Sequence, residues 1–327
     1  MNKSLVLTTI FPPRKDVYRL SKVKDFNLIV VGDKKTPDDW SVKNSIYLSP
    51  ENQIKLFPKF SKVLPWNLYA RKNLGYLYAI SEKSDIIGET DDDVSPYKNF
   101  PPKLTKITNV SVLSHQKFIN IYPYFGAKSV WPRGFPLDEI TQKQTVKKTE
   151  KKVRGYIYNS VIDKDSDFDA IYRLISDKPV KFTKKKSFAL GKGSYCPLNS
   201  QCTFFYPEAY MLLYIPSLVN QRVEDILRGY IAQRLLWEIN GNLVFAPTTT
   251  FTSNRNAHNY LKDFQCEMPL YLLTKQLISV LDSLSLSKDL GKSLIKVYSE
   301  ISKIGIVKKE ETEIVTEWVK TVEKISS

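Results

Sequence analysis

The sequence predicts an α/β fold built on a doubly wound sheet that is flanked by helices, with a helical segment at the C-terminal end. Near the start, strand-like runs at 4–10 and 26–31 enclose a helical stretch at 15–24. A strand, helix and strand within about thirty residues form a βαβ unit. Near the other end, from Met268 onward, apolar residues recur only at helical spacing.

Composition limits the classes of partner. With 327 residues and 42% hydrophobic content, the chain suits one large α/β domain or one domain with a helical appendage. The 49 Lys and Arg exceed the 34 Asp and Glu and leave a formal charge of +15, which favours anionic partners. No basic stripe with interleaved aromatic residues stands out, so nucleic acid is not an expected partner.

The cysteines and the hydropathy indicate a compartment. Cys196, Cys202 and Cys266 have no CxxC spacing, so neither a disulfide framework nor a zinc site is predicted. No signal peptide and no apolar run of membrane-spanning length is found. We expect a cytoplasmic protein, and the lysines of the C-terminal helices leave open peripheral contact with an anionic inner membrane face.

An apolar run at 85–90 ends in three consecutive acids, Asp91, Asp92 and Asp93. A short apolar run stopped by acids is typical of a buried strand that delivers its acids to the edge of a sheet, where open α/β sheets bind ligands. Three adjacent carboxylates repel one another, which favours a divalent cation or a hydroxyl-rich ligand at this edge. A solvated acidic turn is the alternative.

Two other polar groups belong to this half of the sequence. Thr8 and Thr9 end the first strand, where hydroxyl groups could receive a base or a ribose. Arg71 and Lys72 open a helical stretch at 69–80. Cations oppose the helix dipole at that end, so they would be better explained by a diphosphate. A solvated basic face is the alternative.

The second half offers a rigid loop and an acidic pair. The loop around Trp131 and Arg133 could present a ring and a guanidinium to a sugar or phosphate, or it could be a packed corner. Glu224 and Asp225 occupy the first turn of a long helix at 223–237. Acids there can stabilise the helix dipole, or one of them can deprotonate a hydroxyl in a cleft.

Three further local predictions follow from the pattern. Thr141–Lys152 lacks an apolar period and is predicted to be a mobile solvent loop. Asp167 or Asp169 is predicted to cap a helix at 170–175. The basic cluster Lys181–Lys186 is interpreted as surface, with attraction of anions as the alternative.

Nine short stretches, collinear over about residues 4–267, carry a family resemblance: Thr8–Pro13, Val30–Pro37, Tyr69–Tyr76, Glu89–Asp93, Trp131–Gly134, Phe168–Leu174, Asn199–Gln201, Asp225–Tyr230 and Arg255–His258. They resemble the STELLO-type glycosyltransferase family and, more distantly, the reversibly glycosylated polypeptides that act as nucleotide-sugar mutases. The resemblance implies a GT-A-like domain at 1–267 and a C-terminal helical appendage at 268–327. Residues of about 1–100 would form the nucleotide-sugar half, and those of about 101–267 the acceptor and catalytic half.

The resemblance also implies residue roles. The three aspartates look like a DXD-type motif, in which Asp93 would hold Mn²⁺ or Mg²⁺ on the donor diphosphate and Asp91 would face the ribose, with Asp92 beside them. His258 would be a further metal ligand. Asp225, with Glu224, would supply the general base.

The remaining roles concern the donor and the acceptor. Arg71 and Lys72 would steady the diphosphate. The base and ribose would be lined by Thr8, Thr9 and Asp33. The sugar or acceptor would meet Trp131, Arg133, Gly134 and Asn199.

The implied function is metal-dependent, inverting transfer of a sugar from a nucleotide-sugar such as a UDP-sugar. The acceptor would be a glycan or a lipid-linked glycan in surface polysaccharide synthesis. A nucleotide-sugar mutase and a non-catalytic binding or scaffold protein are the alternatives. Because the first strand begins almost at Met1, we expect no N-terminal anchor and a cytosolic rather than a lumenal enzyme. The oligomeric state is not predicted.

Overall fold

A computed structural model describes residues 1–164, 166–176, 178–252 and 259–326. Its strands are β1 (Lys3–Thr8), β2 (Asn27–Val31), β3 (Ser45–Leu48), β4 (Ile86–Thr90), β5 (Val94–Pro96), β6 (Ile107–Ser114), β7 (Lys147–Asp163), β8 (Phe188–Leu190), β9 (Cys202–Phe205) and β10 (Asn242–Thr252). Its α-helices are α1 (Lys15–Leu20), α2 (Pro50–Leu56), α3 (Pro58–Val63), α4 (Lys72–Ser81), α5 (Ala170–Ile175), α6 (Glu224–Leu236), α7 (Tyr260–Ser283), α8 (Leu290–Lys303) and α9 (Glu311–Ser326).

The strands form one mixed sheet in the order β3-β2-β1-β4-β9-β7-β6-β8-β10-β5. In this order β3, β2, β1 and β4 are parallel to one another, and β9 is antiparallel to both β4 and β7. Strand β9 therefore joins the two halves of the sheet. The predicted α/β class with a mixed sheet flanked by helices is confirmed, and it is consistent with a GT-A-like fold.

The parallel half places its strand ends at one edge. Strands β1 and β2 are buried on both faces, which explains their continuous apolar sequence. Helix α4 packs directly on them at Gly75, where an added Cβ would lie 2.5 Å from Val6 Cγ1 and 2.7 Å from Val31 Cγ2. Only glycine permits this close approach, and it fixes the start of α4 beside the ends of β1 and β4.

The C-terminal helices are continuous with the core. The predicted boundary at 267/268 falls inside α7, which begins at Tyr260. Glu267 is fully buried there, and it accepts hydrogen bonds from Ala170 N at 2.9 Å and Arg222 Nε at 2.8 Å. This carboxylate therefore connects α7 to residues before α6, and the division of the chain into two domains stays a prediction.

The last helix also holds the segment that leads into α6. Glu311 is fully buried at the start of α9, and its carboxylate accepts hydrogen bonds from Ser217 N at 2.8 Å, Leu218 N at 2.7 Å and the Tyr214 hydroxyl. Burial raises the pKa of Glu311. These bonds hold the backbone at 217–218, in the segment that precedes α6.

Half of one predicted loop is a strand. Residues 147–152, predicted to be mobile, form the start of β7 and pair antiparallel with residues 109–114 of β6. The side chains at 147–152 are mostly exposed, whereas residues 110–113 of β6 are buried, so this part of β7 pairs without an apolar alternation of its own. The prediction for Asp169 is confirmed, since its Oδ1 accepts a hydrogen bond from Ile171 N at 2.8 Å. None of the described helices has the length and apolarity needed to cross a membrane.

Candidate functional site

A cleft of about 590 Å³ opens where β1 and β4 end. Both halves of the sheet contribute to its lining. It is lined by Thr8, Thr9, Ile10, Phe11, Arg14, Asn67, Leu68, Tyr69, Asp91, Asp92, Asp93, Arg133, Asp167, Ser200, Gln201, Gln221, Arg222 and Asp225. The carboxyl ends of parallel strands are where ligands bind in open α/β sheets, so this cleft is the candidate site.

The aspartate cluster, Asp91 to Asp93, lies in the turn after β4, and two of its members are held by neighbours. Asp92 Oδ2 accepts a hydrogen bond from Thr9 Oγ1 at 2.5 Å, and Asp92 Oδ1 lies 3.1 Å from Arg14 Nη1. Burial raises the pKa of Asp92, while Thr9 and Arg14 counteract this rise. Arg14 is a cleft residue that the sequence did not reveal.

Asp91 is held by a tyrosine and a lysine. Its Oδ1 accepts hydrogen bonds from the Tyr69 hydroxyl at 2.6 Å and from Lys72 Nζ at 3.1 Å. The Tyr69 hydroxyl also lies 2.5 Å from Ser200 Oγ. Lys72 is fully buried, so its ammonium acts on the cleft through Asp91 and Tyr69.

Asp93 lines the cleft with no hydrogen bond to a side chain in the part of the chain that the structure describes. Burial raises its pKa to about 7, and Asp91 and Asp92 add to the rise because their charges repel a third negative charge. A cation in the cleft would favour the ionised form. Asp93 is therefore the member of the cluster that is available to a ligand.

We call a second group the arginine-bound acids: Asp167 and Asp225, which line the cleft, and Glu267, which is fully buried. Arg133 Nη2 donates to both oxygens of Asp225 at 3.0 and 3.1 Å, and to Asp167 Oδ2 at 2.5 Å. Burial lowers the pKa of Arg133, but Asp167 and Asp225 outweigh it and raise the pKa well above its ordinary value. The guanidinium stays charged and fixes both carboxylates.

Ser200 and Arg222 complete this group. The backbone nitrogen and the hydroxyl of Ser200 each lie 3.3 Å from Asp225 Oδ2. Arg222 Nη1 lies 3.6 Å from Asp167 Oδ1, and the same guanidinium bonds to Glu267. The Tyr69 hydroxyl therefore connects the aspartate cluster to Asp225 through Ser200.

Seven predicted site residues line the cleft together: Thr8, Thr9, Asp91, Asp92, Asp93, Arg133 and Asp225. Lys72 reaches it by its bond to Asp91. Six others do not line it: Asp33, Arg71, Trp131, Gly134, Asn199 and Glu224. His258 lies outside the described residues.

The side chains of Arg71 and Asp33 form hydrogen bonds with other residues of the protein and do not line the cleft. The Arg71 guanidinium is fully buried, and it donates to Gln53 Oε1 at 3.0 Å, Leu64 O at 3.0 Å and Ser61 Oγ at 3.1 Å. It therefore ties α2 and α3 to the start of α4, and no donor is directed at the cleft. Asp33 accepts hydrogen bonds from the backbone nitrogens of Lys34 and Leu68 at 2.7 and 3.3 Å.

The other four are buried or partly buried and do not line the cleft. Trp131 packs its ring edge-on against Tyr172, with 5.7 Å between ring centroids. Gly134 has φ +82° and lies against Ile226, so it shapes the turn after Arg133. Asn199 accepts a bond from Gln201 N at 3.2 Å.

Glu224 is the fourth of these residues, and its side chain is buried beneath the cleft. Burial raises its pKa well above the ordinary value, and the charge of Asp225 adds to the rise. Both effects favour the neutral form of Glu224. Only Asp225 of the predicted acidic pair presents an ionisable group to the cleft.

The residues of the cleft would hold a metal ion only together with a bound ligand that supplies further coordinating atoms. Among the described residues, no three acids, histidines or cysteines are grouped closely enough to hold a metal ion. The cleft does offer the carboxylate of Asp93 beside that of Asp91. Mg²⁺ is commonly held by one or two carboxylates together with the phosphates of a substrate, so these acids suit a cation that is shared with a diphosphate.

Comparison with known proteins identifies relatives. A family model described as STELLO glycosyltransferases matches residues 222–326, a stretch that starts at the cleft and includes α6 to α9. The chain is 29% identical over 299 residues to "Probable glycosyltransferase STELLO1" of Arabidopsis thaliana, covering 85% of this chain and 39% of that protein. It is 29% identical over 274 residues to "Probable glycosyltransferase STELLO2" of the same plant, covering 77% of this chain and 36% of that protein.

The chain thus spans about two fifths of the length of these relatives. The family and both relatives are named as glycosyltransferases, which is the class that the resemblance implies. The chain is thus similar to STELLO glycosyltransferases over most of its length.

Proposed function

We propose that this chain is a metal-dependent, inverting glycosyltransferase that moves a sugar from a nucleotide-sugar, such as a UDP-sugar, to a glycan or lipid-linked glycan acceptor. The observation that carries the proposal is the meeting of two acidic groups in one cleft. The aspartate cluster follows β4, whereas Asp225 lies in the first turn of α6, which is distant in the sequence. Glycosyl transfer needs one group to stabilise the leaving diphosphate and another to accept a proton.

On the donor side, Asp93 and Asp91 would hold Mn²⁺ or Mg²⁺ against the diphosphate. When bound, the cation would neutralise the charge that develops on the leaving group. Thr9 and Arg14 hold Asp92, and Tyr69 and Lys72 hold Asp91, so Asp93 is the member of the cluster that has no side-chain hydrogen bond among the described residues. His258, the third proposed ligand, lies outside the described residues.

On the acceptor side, Asp225 would take the proton from the attacking hydroxyl. Its carboxylate lines the cleft and is oriented by Arg133 and by the backbone nitrogen and hydroxyl of Ser200. A fixed base reduces the reorganisation that proton transfer requires. Glu224 would support Asp225 from below rather than act on the substrate.

The biological setting is part of the same proposal. The thiols of Cys196, Cys202 and Cys266 are free, which fits a reducing compartment such as the cytoplasm. Peripheral contact with an anionic membrane face would bring the enzyme to lipid-linked acceptors for surface polysaccharide synthesis. The oligomeric state is not part of the proposal.

The test is nucleotide release from a panel of nucleotide-sugars, with Mn²⁺ or Mg²⁺ and with acceptor glycans. We expect Asp93→Ala to abolish metal-dependent donor binding. Asp225→Asn should keep donor binding and lower transfer about 1000-fold, because the base is lost. Asp39→Asn, at an exposed acid away from the cleft, is the matched control.

Three outcomes would contradict the proposal. Near-normal turnover in Asp225→Asn would remove Asp225 as the base. Interconversion of sugar isomers without net nucleotide release would identify a mutase. Absence of both nucleotide release and metal-dependent nucleotide binding would favour a non-catalytic scaffold.

A further inference from the structure

A second concavity, which we call the lysine groove, has a volume of about 810 Å³ and shares no lining residue with the cleft. Its walls come from three segments, at 120–128, 140–148 and 184–188. It is lined by Asn120, Pro123, Tyr124, Lys128, Ile140, Gln142, Gln144, Lys148, Lys184, Lys185, Lys186 and Phe188.

The charged residues that line this groove are all positive. Five lysines line it and no carboxylate does. All five side chains are exposed, and among the described residues none has a carboxylate within 4.0 Å, whereas lysines elsewhere, such as Lys117 and Lys275, do form such pairs. Like charges that converge in a concave surface attract anions more strongly than the same charges spread over a convex one.

The walls are fixed relative to one another by hydrogen bonds. The backbone nitrogens of Thr183 and Lys184 both donate to Phe125 O, at 3.0 and 3.1 Å, and so tie the lysine run to the opposite wall. Asn120 Nδ2 donates to Val130 O at 2.8 Å and closes the loop that carries Lys128. The lysines are therefore presented from backbone that is already in place, which lowers the entropy cost of binding.

The floor of the groove is aromatic. Tyr124 and Phe188 pack with 5.3 Å between ring centroids, and Lys148 Nζ lies 5.4 Å from the centre of the Phe188 ring. Tyr124 is partly exposed, whereas Phe188 is 5% exposed. One accessible ring beside several ammonium groups suits a ligand that has both an apolar face and negative charge, as a sugar ring with an acidic substituent does.

We propose that the lysine groove binds an acidic glycan, a chain whose sugars carry carboxylate or phosphate groups. The anionic part of this inference follows from the lysines, and the glycan part rests on the proposed function. Single-stranded nucleic acid is less well matched, because it requires successive exposed rings on which bases stack. A membrane surface is less well matched, because the lysines line a concavity rather than a projecting face.

The groove and the cleft flank one short segment of chain. The helical turn Tyr122–Phe125 contributes Tyr124 to the groove, whereas Tyr122 packs edge-on against Phe168, next to the cleft residue Asp167. The groove would thus hold an acidic acceptor chain beside the proposed catalytic cleft and raise its local concentration there.

The test is calorimetric binding of the full chain to three probes of similar length: an oligogalacturonate, a phosphorylated oligosaccharide and a neutral cello-oligosaccharide. We expect one or both acidic probes to bind and the neutral probe to bind at least about tenfold more weakly. The tighter acidic probe identifies the substituent. Loss of three lysine contacts in Lys184→Gln/Lys185→Gln/Lys186→Gln should weaken acidic-probe binding about tenfold, since each exposed ion pair changes binding by about twofold.

The control removes the same charge elsewhere, in Lys55→Gln/Lys59→Gln/Lys309→Gln, and should bind as the unmodified chain does. Nucleotide-sugar binding and the melting temperature should be unchanged in both variants, so failure of the proposed function and failure of the groove are measured separately. Equal binding of neutral and acidic probes would overturn the inference. So would equal effects of the two variants, or tighter groove-dependent binding of single-stranded RNA or anionic vesicles.

Discussion

The aspartate cluster and the arginine-bound acids have similar charge but different hydrogen bonding. Each contains three acids and two cationic side chains. In the first group Arg14 pairs with Asp92 and Lys72 with Asp91, whereas in the second Arg133 and Arg222 together pair with all three acids. In the second group every acid accepts at least two hydrogen bonds or ion pairs. In the first group Asp93 accepts none from another side chain in the described chain, and its pKa rises to about 7.

This difference shows that the two groups suit different tasks. Acids that are already bonded keep one orientation, which suits a fixed base. A buried acid without a side-chain partner is destabilised in its ionised form. A bound cation removes this penalty, which suits a cation-binding site. The count of charges alone would not separate the two groups.

The largest expected effect comes from breaking the buried pairs of Arg133. Arg133→Met leaves Asp167 and Asp225 buried without their main partner and should lower the free energy of unfolding by about 3–5 kcal/mol. The Arg14 side chain is 34% exposed, so Arg14→Met should cost at most about 1 kcal/mol. Urea denaturation at pH 7 measures both, and equal losses would contradict the comparison.

The next effect depends on pH. In the unfolded chain Asp93 has the ordinary pKa of 3.8, whereas in the folded chain its pKa is about 7. Between these values the folded state holds a proton that the unfolded state lacks, so the free energy of unfolding falls as pH rises and the penalty is complete above pH 7. Asp93→Asn should therefore stabilise the metal-free protein at pH 8, on the order of 2 kcal/mol, and change little at pH 4.

Asp225→Asn is the matched control for this experiment. Its carboxylate accepts bonds from Arg133 and Ser200, so the substitution should destabilise the protein at pH 8 instead. Thermal unfolding at both pH values measures the two variants. If Asp93→Asn were destabilising at pH 8, Asp93 would not be the uncompensated acid.

The smallest expected effect concerns the bridge between the two groups. The Tyr69 hydroxyl bonds to Asp91 and to Ser200, and Ser200 bonds to Asp225. A double-mutant cycle of Tyr69→Phe and Ser200→Ala should give a coupling free energy of about 1 kcal/mol. Strict additivity of the two stability changes would indicate that the groups are independent.

The sequence predicted the fold well because its signals are local. The βαβ unit, the apolar strand before Asp91 and the helix that begins near Asp225 each follow from a periodicity within one segment. The edge where parallel strands end then brings Thr9 and the aspartate cluster together without any knowledge of distant contacts.

The partners of these residues could not be predicted in the same way. Arg14 is 78 positions from Asp92, and Tyr69 is 131 positions from Ser200, so no local pattern connects them. Arg71 and Lys72 are adjacent, yet successive helical residues project about 100° apart, and only one could reach the cluster. Their spacing indicated a basic helix start but not which of the two buried side chains would bond to the aspartate cluster.

The bonds from Glu311 have a consequence for the order in which the protein assembles. They join residues 94 and 93 positions apart, from the last described helix to the segment that precedes Asp225. Contacts of such long sequence separation form late and slow folding. On the ribosome, Ser217 and Leu218 would stay without these bonds until α9 has been made, so a chain that stops before residue 311 would contain every residue that lines the cleft and still lack this anchor of the segment that leads into α6.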